Sequence, residues 1–458
     1  MTSSATPSSS AGSIKLRLSV MMFLQYFIWG AWFPLSFQYI PELGFSGVWL
    51  ALIFGAFNIA AFTAMFFSTQ FADRNFAAEK FVAFSHFVGG LAILGLFWVH
   101  GSAAAPASFV AFFSLLLLHC LFYVPTISIT NSIAFANLKD PQHDFGPVRL
   151  WGTIGWIAAS WPFIFILADW SKIPAFGSVP FVDWLSAALS TSKTGEALQQ
   201  ARSYTFIAAG ISSLVLAAFS LGLPHTPPKP AAQAGNQLAW LEAMKLLRYP
   251  FLLVLFVVTF MDATIHQVFF HRVPDYLEKA VGIPGQWIMP VMSIGQIAEI
   301  GTMAILGYAL KNLGWRRTMI FGILGHVARF TVFALYPHPG VAISINILHG
   351  ICYAFYFATV YIFIDEFFPK DARSSAQGLF NFLILGLGPF VGNFLAGALM
   401  DMFKTADGGV DYHKLFLVPA GMGAVAAICL LLFFHPPKAG APNDPRVATS
   451  EGADTPAL

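Results

Sequence analysis

The sequence predicts an all-α polytopic membrane protein of twelve transmembrane helices in two pseudo-symmetric six-helix halves. Three observations predict it. Of 458 residues, 57% are hydrophobic and only 10% charged, with 49 phenylalanines; so few charges cannot cover a soluble fold of this size. The chain breaks into twelve apolar runs, each near the ~20 residues that a helix needs to cross a bilayer. Charged turns recur at matching places in the two halves.

Taken in order, residues 1–13 are Ser/Ala/Thr-rich and expected to be a disordered tail. They lack the basic start of a cleavable signal, so the first apolar run is read as an uncleaved insertion signal. The N-terminal bundle, 14–223, holds spans at 16–40, 48–71, 81–99, 108–134, 148–168 and 204–223. Residues 169–203, with Trp170 and Trp184, read as a loop whose aromatics lie at headgroup level. A proline-rich cytoplasmic linker at 224–249 carries a short amphipathic helix near 238–247. The C-terminal bundle, 250–436, holds spans at 251–276, 287–310, 318–336, 342–363, 376–402 and 415–435, before a disordered tail at 437–458.

Lysine and arginine crowd the termini and the even-to-odd connections about two to one over the other side. The positive-inside rule then places both termini in the cytoplasm and the protein in the inner (plasma) membrane. Net charge is +2, without a basic cluster interleaved with aromatics, so nucleic acid is not an expected partner. Cys120, Cys352 and Cys429 lie in apolar runs without metal-ligand spacing. They read as packing residues, and neither disulfide, metal nor cofactor is expected. No set of residues has catalytic spacing, so an enzyme is not expected.

Several polar groups interrupt the apolar runs. Ser293, Gln296 and Glu299 are three residues apart and share one side of the eighth span. A carboxylate near mid-membrane costs roughly 2.5–3.5 kcal/mol on insertion scales, so it normally faces a polar cavity or a partner. A solute or proton site is one reading; a Gln–Glu pair bonding a neighbouring helix is the other. On the seventh span Asp262 and His266 stand at i, i+4, a spacing at which they could pair, as a proton relay or as a structural ion pair. Arg149, Thr153 and Trp156 fall at i, i+4 and i+7, on one face of the fifth span. Arg149 also reads as a cytoplasmic-end anchor, and Trp156 as packing. Arg329, midway along the ninth span, is read as pairing with a helix neighbour rather than with solute. Pro125 and Pro389, with Gly386, Gly388, Gly392 and Gly397, read as kinks and close helix contacts.

The repeated turns carry a resemblance. Asp73-Arg74 follows the second span, Arg316-Arg317 the eighth and Arg373 the tenth. This pattern is similar to the major facilitator superfamily and its G-x-x-x-D-R-x-x-x-R-R turn, with Thr69 in place of the leading Gly and Lys311 in place of the acid. These residues are the expected cytoplasmic gating turns.

A finer likeness rests on Phe23-Leu24-Gln25 with Trp29-Gly30, Tyr123-Val124-Pro125-Thr126, Arg149-Leu150-Trp151-Gly152-Thr153-Ile154-Gly155-Trp156, and Met292-Ser293-Ile294 with Gln296 and Glu299. From about 16 to 435 the chain resembles the nucleoside–proton symporter family. The resemblance implies a central nucleoside site formed by Arg149, Thr153 and Trp156, by Gln267, by Gln296 and Glu299, and by Tyr353 with His349 beside it. The chain departs at Phe270, where the family has Asn, and at Ala354, where it has Asp.

The expectation is proton-coupled nucleoside uptake by alternating access, by a monomer in a lipid bilayer. Glu299 is the first candidate for coupling, and Asp262 with His266 the second. A sugar or other small polar solute is the alternative cargo, and a non-transporting solute sensor the alternative class.

Overall fold

The computed structural model describes residues 11–64, 75–228, 244–367 and 370–437. Among them nine helices are long and apolar enough to cross a membrane, and β pairing is confined to two isolated bridges. Asp73, Arg74, residues 1–10 and 438–458 and most of the expected amphipathic stretch lie outside the described residues, while Ala11–Ser13, expected in the tail, open the first helix. The chain divides into two compact units, Met1–Ala234 with Pro284–Ser293, and Gly235–Ile283 with Ile294–Leu458.

The first unit contains α1 (Ala11–Glu42), α2 (Gly47–Thr63), α3 (Ala78–Gly95), α4 (Phe109–Asn137), α5 (Pro141–Ser160) and α6 (Gly195–Ser220). Ser108 caps α4, its hydroxyl accepting from the Ala111 N–H at 3.3 Å. Helix α5 runs from Pro141 to Ser160, shifted toward the N-terminus from the expected 148–168. A proline is tolerated in the first turn, where its missing N–H leaves nothing unsatisfied, and Asp144 suits the positive helix start. After a turn at Trp161 and Pro162, a further helical turn at Phe163–Ile166 continues toward the expected end of the span. Lys15 reaches Asp144 at 2.7 Å and ties α1 to the start of α5.

Helices α1 and α5 approach backbone to backbone. A Cβ on Gly30 would meet the Trp156 carbonyl at 2.8 Å, and one on Gly155 would overlap the Phe23 carbonyl. Glycine is therefore required at this crossing, which fixes where Trp156 stands. Deeper in the unit, buried polar side chains satisfy one another. His86 Nε2 lies 2.9 Å from Gln25 Oε1, and His86 Nδ1 lies 3.0 Å from Ser213 Oγ. Gln25 donates to Thr126 Oγ1 at 2.9 Å, and Tyr123 donates to the Gln25 carbonyl at 2.6 Å. The network joins α1, α3, α4 and α6.

The connection between α5 and α6 has a small core of its own, formed by Ala168, Ile173 and Ala188. Trp170, Phe176 and Phe181 remain exposed around it. Lys193 donates to the Ile166 carbonyl at 2.9 Å, and partial burial lowers its amine pKa. Just past α6, Glu79 accepts from the Thr226 N–H at 3.0 Å and pairs with His225 at 2.8 Å. The first linker residues are thereby fixed to the start of α3.

The second unit contains α7 (Pro250–Lys279), α8 (Ile288–Leu335), α9 (Pro339–Phe367), α10 (Ala376–Met402) and α11 (Tyr412–Phe433). Helix α8 has 48 residues, about 72 Å of helix at 1.5 Å per residue, more than twice a ~30 Å hydrocarbon core. Gly314 interrupts it with φ 72°, a conformation open to glycine at little cost. The expected eighth and ninth spans are therefore the two arms of α8, joined through one residue. Helix α9 takes a π-helical turn at Tyr353–Ala358, an irregularity that is frequent at functional sites. The first arm of α8 crosses α9 closely: a Cβ on Gly295 would meet His349 at 2.6 Å, and one on Gly350 would overlap the Glu299 backbone.

Candidate functional site

In the first unit the candidate residues lie along α5. Arg149 sits eight residues after Pro141, about 12 Å along the helix axis, so it does not open the helix as the sequence suggested. Its guanidinium lies 4.0 Å from the centre of the Tyr26 ring, a cation–π contact with α1. One turn on, Thr153 is half-buried, as is Trp156 a further turn along. Trp156 meets Trp29 edge-on at 5.2 Å between ring centres, and Trp29 stacks on Phe57 at 4.7 Å. An aromatic wall from α1, α2 and α5 thus surrounds this face.

In the second unit the polar groups of α7, α8 and α9 converge. The close α8–α9 crossing puts Gln296 Nε2 3.3 Å from His349 Nε2. His266 stacks on His349 at 4.9 Å and lies 6.5 Å from the Tyr353 ring. Gln267 donates to Asn393 Oδ1 on α10 at 2.7 Å. Glu299 is half-buried beside Gly350.

The expected pairing of Asp262 with His266 is corrected. Asp262 Oδ1 faces His326 Nε2, on the second arm of α8, at 3.7 Å. The His266 ring is instead packed among His349, His326 and Phe357. Residues at i and i+4 meet only where their rotamers bring them together, and here both carboxyl oxygens of Asp262 and Nδ1 of His266 are buried without a hydrogen-bond partner among the described residues. Arg329, fully buried, donates to His349 Nδ1 at 2.7 Å and to His326 Nδ1 at 3.0 Å. Of the turn residues, Arg316 lies 2.7 Å from His435 Nε2, Arg317 is exposed, and Arg373 sits within the helix Lys370–Asn381.

Sequence reasoning missed His326 and Asn393. A signal for His326 was present: it precedes Arg329 by three residues on an otherwise apolar run, so the two share a face. Nothing in the sequence marks Asn393, whose partner comes from a distant helix.

Membrane-length helices that bury amides, imidazoles and a guanidinium side by side define a polytopic membrane transporter. A crystal structure of a single-residue variant of the nucleoside transporter NupG matches with a TM-score of 0.76 at 24% identity, covering 92% of this chain and 100% of the other. The fold is thus of the major facilitator type. The sequence model described as "Nucleoside H+ symporter" matches residues 12–175 and 166–439. The candidate nucleoside transporter YegT of Escherichia coli K12 is 32% identical over 433 residues, 92% of this chain and 93% of the relative. The xanthosine permease of the same organism is 27% identical over 441 residues, 92% of this chain and 96% of the relative. The chain belongs to the nucleoside H+ symporter family, and it is a transporter rather than an enzyme.

Proposed function

We propose that this protein takes up nucleosides together with protons across the cytoplasmic membrane, and that the base is held chiefly in the second unit. The observation that carries the site is the buried set around Gln296 and His349, where two membrane-length helices cross with glycine at both contacts. Gln267 and Gln296 meet the base edge, since amides donate and accept. Glu299 accepts from the ribose hydroxyls, and Tyr353 stacks on the base. The first unit contributes Arg149, Thr153 and Trp156.

Glu299 is the proposed coupling group. Its protonation changes both its cost in the membrane and its capacity to accept from hydroxyls. Asp262 and His266 are the second candidate for this role. The remaining parts of the proposal are twelve crossings grouped as 14–223 and 250–436, both termini in the cytoplasm, and action as a monomer in the bilayer. Asp73, Arg74, Arg316, Arg317 and Arg373 serve as cytoplasmic gating turns.

The test is uptake of labelled uridine and adenosine into proteoliposomes, with and without an inward proton gradient. Gradient-stimulated uptake is expected. No binding of any nucleoside by folded protein would overturn the reading.

A further inference from the structure

Arg329 is fully buried midway along the second arm of α8. Its guanidinium is donor-only and remains charged. Nη1 lies 2.7 Å from His349 Nδ1, so that ring nitrogen must be the acceptor. His349 is then a neutral imidazole with its single N–H at Nε2, and this N–H points at Gln296. As the side chains stand, the Gln296 amide nitrogen is 3.3 Å away and would set donor against donor. Gln296 Oε1 meanwhile is buried without a hydrogen-bond partner. Turning the amide through 180° resolves both mismatches, because amide orientation follows from the hydrogen bonds around it. The oxygen then accepts from His349, and the NH2 occupies the opposite side.

The rest of the arrangement holds Arg329 to this task. Nη2 lies 3.0 Å from His326 Nδ1, so His326 carries its N–H at Nε2, on the side of Asp262 Oδ1, which at 3.7 Å is beyond hydrogen-bond reach. Asp262 stands beyond His326, a buried carboxyl on the far side of that ring. Phe269 covers the guanidinium face, its ring centre 3.8 Å from Cζ. His266 stacks on the ring of His349 and fixes its plane.

We propose that Arg329 is a positioning residue that, through the His349 tautomer, turns the NH2 of Gln296 toward the solute's base. Gln267 has the opposite polarity. As the two amides stand, its nitrogen donates to Asn393 Oδ1, and its oxygen is the acceptor it offers the base. Donors from one amide and an acceptor from the other match an N–H beside a carbonyl, the lactam edge of uridine and inosine. An amino group beside an unprotonated ring nitrogen, as in cytidine and adenosine, has that edge reversed and meets Gln296 with donors. The inference rests on the nucleoside reading above and extends it to the class of base.

The test is competition against labelled uridine binding to purified protein, with unlabelled uridine, cytidine, inosine and adenosine as the four competitors. Uridine and inosine are expected to compete about tenfold better than their amino counterparts, the discrimination one mismatched hydrogen bond gives. An Asp262→Asn, Arg329→Gln double variant removes the buried guanidinium together with the Asp262 carboxyl and frees the His349 tautomer; its keto-to-amino ratio should fall below about twofold. Gln296→Glu offers an acceptor in place of the donors and should move the preference toward the amino bases, a shift that loss of packing alone would not cause. Equal competition by all four in the wild type overturns this inference alone. So does an unchanged ratio in the folded double variant. Absence of binding by any nucleoside overturns the nucleoside reading and this inference with it.

Discussion

Arg329 Nη1 lies 2.7 Å from His349 Nδ1, joining the second arm of α8 to α9 inside a unit built from membrane-length helices. An imidazole that accepts from a buried guanidinium is more than packing, because its removal strands a charged donor. His349→Phe should therefore lower stability by about 1–3 kcal/mol. Thermal unfolding in detergent measures it; an unchanged midpoint would mean that the contact contributes nothing.

Glu299 carries the coupling proposal. Glu299→Gln keeps shape and hydrogen-bonding capacity but cannot change charge. Gradient-driven accumulation of uridine should fall at least about tenfold, while exchange of internal for external uridine persists. Accumulation that still followed the proton gradient would remove Glu299 from this role.

Trp156 stands on an aromatic wall, edge-on to Trp29 at 5.2 Å. If its ring also stacks on a base, Trp156→Ala should weaken nucleoside binding by about 1–3 kcal/mol, the range for base–aromatic stacking. Trp156→Phe should restore most of it. Equal losses in both variants would point to packing against Trp29 instead.

Gly155 faces the Phe23 carbonyl with no room for a Cβ. Gly155→Val should force α1 and α5 apart and cost at least about 1–3 kcal/mol, the range for overpacking. Reduced folded yield on size-exclusion chromatography is the readout, and wild-type yield would contradict the close crossing.

Asp411 caps α11, its carboxylate accepting from the Lys414 N–H at 3.1 Å. That backbone bond, aided by the Lys414 side chain, holds its pKa below the usual carboxylate value. The folded value lies under the unfolded one of about 3.9, so the contribution is complete above that pH and is lost as pH falls through the folded value. Asp411→Ala should lower the thermal midpoint at pH 7, and the difference should shrink below about pH 4. Asp411→Asn, which still caps, should behave closer to wild type.

The sequence by itself determined what depends on local chemistry. Membrane class follows from apolar length, since a span needs only about 20 apolar residues. Trp156, Gln296 and Glu299 were legible as candidates because a polar or large aromatic group at helical spacing is conspicuous in an apolar run. The family followed from short motifs such as Arg149-Leu150-Trp151-Gly152-Thr153. Tertiary structure decided the partners. Spacing joined Asp262 to His266, but the carboxylate faces His326, 64 residues away, and His266 stacks on His349. Helical periodicity fixes which residues share a face, and only the approach of another helix selects which of them meet. The Gly295 and Gly350 contacts make that approach possible on α8 and α9. They bring Gln296 to His349, and Arg329 then sets which way its amide points.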